Sequence, residues 1–431
     1  MRDAIAWYSS RKAVFSGEND VRLLRGGDEQ FPAMCEAIER ARRDVWLATY
    51  IFHGDEAGQR VLQALCAAAS RGVMVNLAVD GFGSKGMLAE LQSTCSLHGV
   101  RFVVFGPIGR GFDRFRPRHL RRMHQKLCVV DDEIAFVGGI NIIDDRTDLH
   151  HGRLNGARLD FAVRVTGPMV KPVRYAASAI WYRAELGKDW RSEIVDLARS
   201  PQPVEQARRL LSKVKAPLPD QTYDDAPHAS LTQAGSLAPM SAAFVVRDNV
   251  RQRRTIERCY VEAIRHARRS VDIVCPYFYP GRAFRRVLEN AASRGVRVRL
   301  LLQGQYDYRI AQLAANALYD ELLLRGVQIY EYVPAFLHAK VAVVDGHWAT
   351  VGSSNIDPLS LLLNLEANVL VEDAGFVASL SREIERAIEK SRPVEPADGW
   401  GLGWMARTRR TVVALCARAY LRLAGIGAAQ Y

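Results

Sequence analysis

No window of the chain reaches about 18 uninterrupted apolar residues, the length an ordinary membrane-spanning helix requires. Cysteine is sparse. Seven are present, Cys35, Cys66, Cys95, Cys128, Cys259, Cys275 and Cys416, an odd number with no Cys-x-x-Cys pair. That pattern argues against a disulfide framework and a thiolate zinc site, and most of these residues sit in apolar segments, as buried thiols in a reducing compartment do. Met1 to Phe15 alternates apolar and polar residues and has no apolar signal-peptide core, so the expectation is a protein that stays cytosolic or binds a membrane from outside. Acidic residues are also in deficit. Against 59 Lys and Arg stand 47 Asp and Glu, a formal charge of +12 with a pI near 9.5, which points to an anionic partner. With 431 residues, 48% hydrophobic and 25% charged, the chain can bury two sizeable cores.

One unusual string occurs twice. His124, Lys126, Asp131, Gly138, Gly139 and Asn141 recur with identical spacing as His338, Lys340, Asp345, Gly352, Ser353 and Asn355. The apolar runs Leu127 to Val130 and Val341 to Val344 read as short buried strands, which would carry His and Lys at i and i+2 on one face. An imidazole beside an ammonium suits phosphoryl transfer: the first attacks phosphorus or moves a proton, the second holds phosphate oxygens. The paired small residues would let the backbone approach a phosphate, and Asn141 and Asn355 offer uncharged amide donors. Asp131 and Asp345, at strand ends, fit direct chemistry, a turn or a structural ion pair equally well.

The surroundings of the motif repeat too. Ala41-Arg42-Arg43 echoes Ala267-Arg268-Arg269, Ser70-Arg71-Gly72-Val73 echoes Ser293-Arg294-Gly295-Val296, and His98-Gly99-Val100 parallels Arg325-Gly326-Val327. In each half an apolar strand is followed by an Ala/Leu-rich helix (Gly58 to Ala69; Ala283 to Ala292), a second strand (Val73 to Val79; Val296 to Leu302), a helix, a third strand and the motif strands. The fold class is therefore α/β, a parallel or mixed sheet covered by helices in each half. The doubled motif resembles the phospholipase D superfamily, whose members join two half-sites in one centre. Two pseudo-symmetric domains sharing one active site are expected, with His124 beside His338.

Gly352 to Val371, together with Leu337-His338-Ala339-Lys340, Pro276-Tyr277-Phe278 and Ala48-Thr49-Tyr50-Ile51-Phe52, is specifically similar to bacterial cardiolipin synthases. The resemblance implies phosphatidyl transfer with phosphatidylglycerol as acceptor, through a phosphatidyl-histidine, with no cofactor and no metal. It assigns attack to His124 and proton transfer to His338. Lys126 and Lys340, with Asn141 and Asn355, would hold the nonbridging oxygens. Glu366 and Asp160 would each bond an imidazole nitrogen. Ser353 would be a supporting hydroxyl, absent from the first half because Gly139 stands there.

The expected division is a first domain over residues 1–199, a linker or surface insertion over 200–241, a second domain over 242–395 and a basic amphipathic tail over 396–431. The linker is rich in Pro, Ala, Gln and Asp and lacks apolar periodicity. Arg110, Arg114, Arg116, Arg118, Arg121 and Arg122 crowd the approach to His124, and Arg247, Arg251, Arg253 and Arg254 precede a helix. From Trp400 to Tyr431 there are five arginines and no acidic residue, with Leu402, Met405, Val412, Leu415 and Ala419 on one helical stripe, as in an interfacial helix. Phospholipids and an anionic membrane surface are the expected partners, nucleic acid is not, and the expected place is the cytoplasmic side of the cell membrane, held peripherally. The competing reading is a phosphodiesterase that acts on nucleic acid or hydrolyses phospholipid; the basic approach to His124 favours it and the tail opposes it.

Overall fold

The computed structural model describes residues 7, 10, 12–106, 122–149, 152–185, 240–248, 252–305, 319–356 and 364–395. The first half contains β1 (Ser16–Arg25), β2 (Asp44–Thr49), β3 (Met74–Asp80), β4 (Arg101–Phe105), β5 (Leu127–Val130), β6 (Ile134–Gly138), a short hairpin of β7 (Thr147–Asp148) and β8 (Gly152–Arg153), and β9 (Phe161–Thr166). Its helices are α1 (Gly26–Glu39), α2 (Glu56–Ser70), α3 (Leu88–His98) and α4 (Val170–Glu185). The second half contains β10 (Met240–Arg247), β11 (Ser270–Val274), β12 (Arg297–Gln303), β13 (Gln328–Tyr332), β14 (Val341–Val344), β15 (Trp348–Gly352), β16 (Glu366–Glu372) and β17 (Ser391–Pro393), with α5 (Thr255–His266), α6 (Arg282–Ser293) and α7 (Ala374–Glu389).

These strands form one sheet in the order β17-β13-β12-β11-β14-β15-β16-β10-β1-β9-β6-β5-β2-β3-β4. Apart from β17 the order is a palindrome about the β10–β1 seam, so the internal repeat of the sequence is also the symmetry of the sheet. Within each half β2, β3 and β4, or β11, β12 and β13, run parallel, and the motif strands join them antiparallel. The inner parallel strands β2, β3 and β12 are buried on both faces because helices cover them on both sides, whereas the outer strands β4 and β13 keep residues exposed or half-buried. The seam pairs β1 with β10 antiparallel, and each then pairs antiparallel with the last strand of its own half, β9 or β16.

Three apolar clusters follow from this layering. One lies under α1, α2 and α3 in the first half, and its counterpart lies under α5 and α6 in the second. The third spans both halves beneath α4 and α7, running from Trp46 and Val163 through Phe244 to Val369 and Leu380. Helix α2 shows how local sequence sets an element: the Asp55 carboxylate accepts from the Gly58 N–H at its start, and Val61, Leu62, Leu65 and Ala68 line its buried stripe. Strand β10 begins at Met240, so the last two residues of the expected linker belong to the seam. Arg247, one of the four arginines before the helix, is buried at the end of β10 and donates to the Arg253 carbonyl. The six cysteines among the described residues are free thiols, five of them buried. Most of the arginine-rich approach to His124, the rest of the linker and the tail from residue 396 lie outside the described residues. No described helix is long and apolar enough to cross a membrane.

Candidate active site

The two motif histidines do not stand on the motif strands. Strands β5 and β14 begin after the lysines, and each histidine lies in an extended segment that pairs with the opposite half. Met123 bridges Leu365, and Leu337 bridges Leu159. The His124 N–H donates to the Leu365 carbonyl at 3.0 Å, and the His338 N–H donates to the Leu159 carbonyl at 2.9 Å. Leu365 directly precedes Glu366 and Leu159 directly precedes Asp160, so this exchange delivers each acid to the histidine of the other half. His124 Nδ1 lies 3.0 Å from Glu366 Oε2, and His338 Nδ1 lies 2.6 Å from Asp160 Oδ2.

Residues that escaped the sequence reading hold the same segments. The Asp80 carboxylate, at the end of β3, accepts the Met123 N–H at 2.9 Å; Gln303, at the end of β12, accepts the Leu337 N–H at 2.8 Å. The available signal was a polar residue closing an apolar run at the same place in each repeat. Gln125 adds a 2.8 Å bond to the Glu366 carbonyl. Tyr50 places its ring 5.1 Å from the His124 ring, with the Lys126 ammonium 5.5 Å from the same ring centre.

Both lysines are buried, and each donates to the carbonyl of the histidine two residues earlier, Lys126 at 2.7 Å. Asn141 accepts the Ile51 N–H, two residues beyond β2, on its amide oxygen at 3.1 Å. Asn355 meets the Cys275 thiol through its amide oxygen at 3.9 Å. Ser353 donates to Glu366 Oε2 at 2.5 Å and accepts the Ala367 N–H at 3.0 Å. Its hydroxyl therefore steadies a carboxylate. In the first half a Cβ at Gly139 would lie 2.3 Å from Asp160 Oδ1, so the carboxylate itself excludes a serine there.

Two expectations need correction. Asp131 and Asp345 were candidates for direct chemistry, yet their carboxylates accept backbone N–H groups instead: Asp131 from Arg42, Arg43 and Asp44, and Asp345 from Arg268, Arg269 and Ser270. Five residues past the lysine, each lies about 16 Å further along an extended chain. With φ of 55° and 54° they adopt the left-handed conformation of a tight turn. Gly138 and Gly352 are likewise explained by packing, since a Cβ would lie 2.4 Å from Ala162 Cα at the first and 2.3 Å from the Asn368 side chain at the second.

The electrostatics of the buried cluster are mutual. Burial lowers both imidazoles; Lys340 and then Lys126 push His338 further, to about 3 against the pull of Asp160, while Lys126 and Lys340 act on His124 against Glu366. Burial alone would raise the two carboxyls, but Asp160 is held below the usual carboxylate range by His338 and Lys340, and Glu366 by His124 and Lys126. Burial, with Lys340 nearby, brings Lys126 down to about 7 against the pull of Glu366, and Lys340 is lowered too. The site thus holds ionised carboxylates, neutral imidazoles and two lysines whose charged form is disfavoured by burial and, at Lys126, by the neighbouring Lys340. A bound phosphodiester would relieve the repulsion between the lysines. Each Nδ1 donates to its carboxylate, which leaves Nε2 with the lone pair needed for attack or proton transfer.

A mixed sheet with palindromic order, and a centre built from two His-x-Lys segments with exchanged acids, defines a phospholipase D-like protein. The family model described as "Cardiolipin synthase, PLD-like domain" matches twice, at residues 34–152 and 260–388, and the chain belongs to the cardiolipin synthase family of that superfamily. It is 37% identical over 371 residues to cardiolipin synthase B of Salmonella typhi, covering 86% of this chain and 80% of the relative. Cardiolipin synthase B of Escherichia coli (strain K12) is 36% identical over 363 residues, covering 84% and 78%. Cardiolipin synthase A of Pseudomonas putida is 31% identical over 380 residues, covering 88% and 70%. Among solved structures, phosphatidylserine synthase of Haemophilus influenzae Rd KW20 superposes with a TM-score of 0.60 at 13% identity, over 99% of this chain and 98% of that one, a likeness of fold.

Proposed function

We propose that this protein is a cardiolipin synthase that transfers a phosphatidyl group from a donor phospholipid to phosphatidylglycerol. The observation that carries the reading is the crossed pairing of His124 with Glu366 and His338 with Asp160 around two buried lysines. Nε2 of one histidine attacks phosphorus, the phosphorus–oxygen bond to the donor's alcohol breaks, and the other histidine, neutral in the free site and taking up a proton when the anionic phosphodiester binds beside it, protonates the departing oxygen. That second histidine, now neutral, takes the proton from the acceptor hydroxyl. The acceptor oxygen attacks phosphorus, the phosphorus–nitrogen bond breaks, and the first imidazole is returned neutral.

We assign attack to His124, whose imidazole is braced by the Tyr50 ring on a side where the second half has Pro276. His338 then acts as acid and base. Lys126, Lys340 and the amides of Asn141 and Asn355 stabilise charge on the nonbridging oxygens of the five-coordinate transition state. The protein acts at the cytoplasmic side of the membrane, held peripherally, with the arginine-rich tail from Trp400 as an attachment.

Chromatography of lipids after incubation with labelled phosphatidylglycerol tests the reaction: label in cardiolipin is expected, and label only in phosphatidic acid would mean hydrolysis instead. Quenching the reaction and sequencing the labelled peptide should place the phosphatidyl group on His124; label on His338 would reverse the assignment.

A further inference from the structure

The large apolar side chains that remain exposed are unevenly distributed. Of the seven exposed among the described residues, four, Phe82, Leu149, Tyr277 and Val333, between 41% and 57% exposed, stand on segments that enter or leave the active site; Val14 precedes β1, and Leu97 and Leu324 lie elsewhere. Phe82 lies two residues beyond β3, and the Asp80 carboxylate that accepts its N–H also accepts that of Met123, beside His124. Val333 opens the segment that runs from β13 to His338. Tyr277 follows β11 and precedes Phe278, which bridges Ile356 next to Asn355. Strands β11 and β13 are separated by β12 alone, so the ends that carry Tyr277 and Val333 are about 10 Å apart. Leu149 sits beyond β7 on the excursion from Asn141 to Asp160, whose Gly156 would place a Cβ 3.2 Å from Ala335, two residues past Val333.

Basic groups are interleaved with this rim. The Arg122 guanidinium, 3.9 Å from Asp80, lies 4.9 Å from the centre of the Phe82 ring, and Arg146, which reaches Asp28 at 3.7 Å, and exposed Arg153 flank Leu149 on its hairpin. Apolar tips among cations match a phospholipid leaflet, whose anionic headgroups overlie hydrocarbon. We infer that the face bearing the active site inserts Phe82, Tyr277, Val333 and Leu149 into an anionic leaflet, so that a lipid phosphate reaches the histidines without leaving the bilayer. The inference rests on the reading of the site as lipid-acting and adds a surface independent of the tail.

The two most exposed leucines provide an internal control. Leu97 and Leu324, 81% and 68% exposed, occupy equivalent positions before the turns that lead into β4 and β13, at the opposite end of the strands. In the full chain, Phe82→Asp and Val333→Asp should each lower partition onto phosphatidylglycerol vesicles by about tenfold or more, measured by sedimentation. Phe82→Ser and Val333→Ser should follow in the same direction. Transfer from vesicles should fall in parallel, whereas transfer from a short-chain phosphatidylglycerol kept below its micelle concentration should stay within about twofold of the parent. Leu97→Asp should bind vesicles like the parent. Unchanged partition in the rim variants, or an equal loss in Leu97→Asp, would overturn the inference. So would light scattering that shows the rim substitutions dissociating a dimer in the absence of lipid, which would assign the face to a second copy of the chain. If the parent transferred no lipid from either substrate, the proposed function would fail while the partition measurements still decided the insertion.

Discussion

At the scale of single residues, the centre depends on which carboxylate meets which histidine. His124→Ala and His338→Ala should each reduce transfer by at least the factor of about 10² to 10⁴ that general acid–base catalysis supplies, measured as initial rates on lipid vesicles. Retention of half the activity by either would contradict a shared centre. The exchange of acids makes a finer prediction: Glu366→Gln should alter the titration of His124 and leave that of His338 nearly in place, with Asp160→Asn doing the reverse, as followed by NMR of labelled imidazoles. Gly139→Ser should lower the rate despite making the first half resemble the second, because the new Cβ occupies the place of the Asp160 carboxylate; an unchanged rate would show that Asp160 can move freely. His338 also links stability to acidity. Its pKa is lower folded, about 3, than unfolded, near 6.5, so the unfolded chain binds more protons between those values and stability falls as pH drops through that window. The urea midpoint of His338→Gln should depend less on pH between about 6.5 and 3 than that of the parent.

At the scale of elements, the motif aspartates separate folding from chemistry. Asp131 caps three successive N–H groups before β2, and Asp345 does the same before β11, so each ties a motif strand to the parallel strand beside it. Asp131→Ala or Asp345→Ala should cost about 2 kcal/mol of stability, the scale of a lost charge-assisted bond. The rate per folded molecule should hold within a few-fold. Urea titration and kinetics on the same samples would check both parts, and full stability with lost activity would return the aspartates to the chemistry. These roles were open in the sequence because an Asp at a strand end looks alike whether its acceptors are backbone N–H groups or substrate. The lysines and histidines were more legible: their repeated i and i+2 spacing holds in any extended segment, even though that segment precedes the strand.

At the scale of the whole molecule, the halves are bound in three ways: the β1–β10 seam, the shared core beneath α4 and α7, and the crossed segments at the site. A chain truncated after residue 199 would expose the seam edge of β1 and the apolar floor under α4, and its His124 would have no carboxylate. It should therefore aggregate or unfold at lower urea than the parent and carry no transfer activity; a stable, active fragment would contradict the shared centre. Strands β1 and β10 were the elements hardest to find in the sequence. They carry no motif, and what marks them is the partner each acquires from the other half.

The residue types of the doubled motif pointed to phosphoryl transfer, its repetition with the surrounding segments to the duplication, the alternation of apolar strands and helices to the α/β class, and the resemblance to cardiolipin synthases to phosphatidyl transfer. Those properties depend on residue types at fixed separations, and local geometry carries them unchanged into the fold. Only the tertiary structure decided that Glu366 serves His124 and Asp160 serves His338, that Ser353 supports a carboxylate while Gly139 must stay bare, and that both motif aspartates build turns. The first depends on contacts up to 242 residues apart across the seam, and the others on contacts between separate strands of one half; no local periodicity encodes either kind.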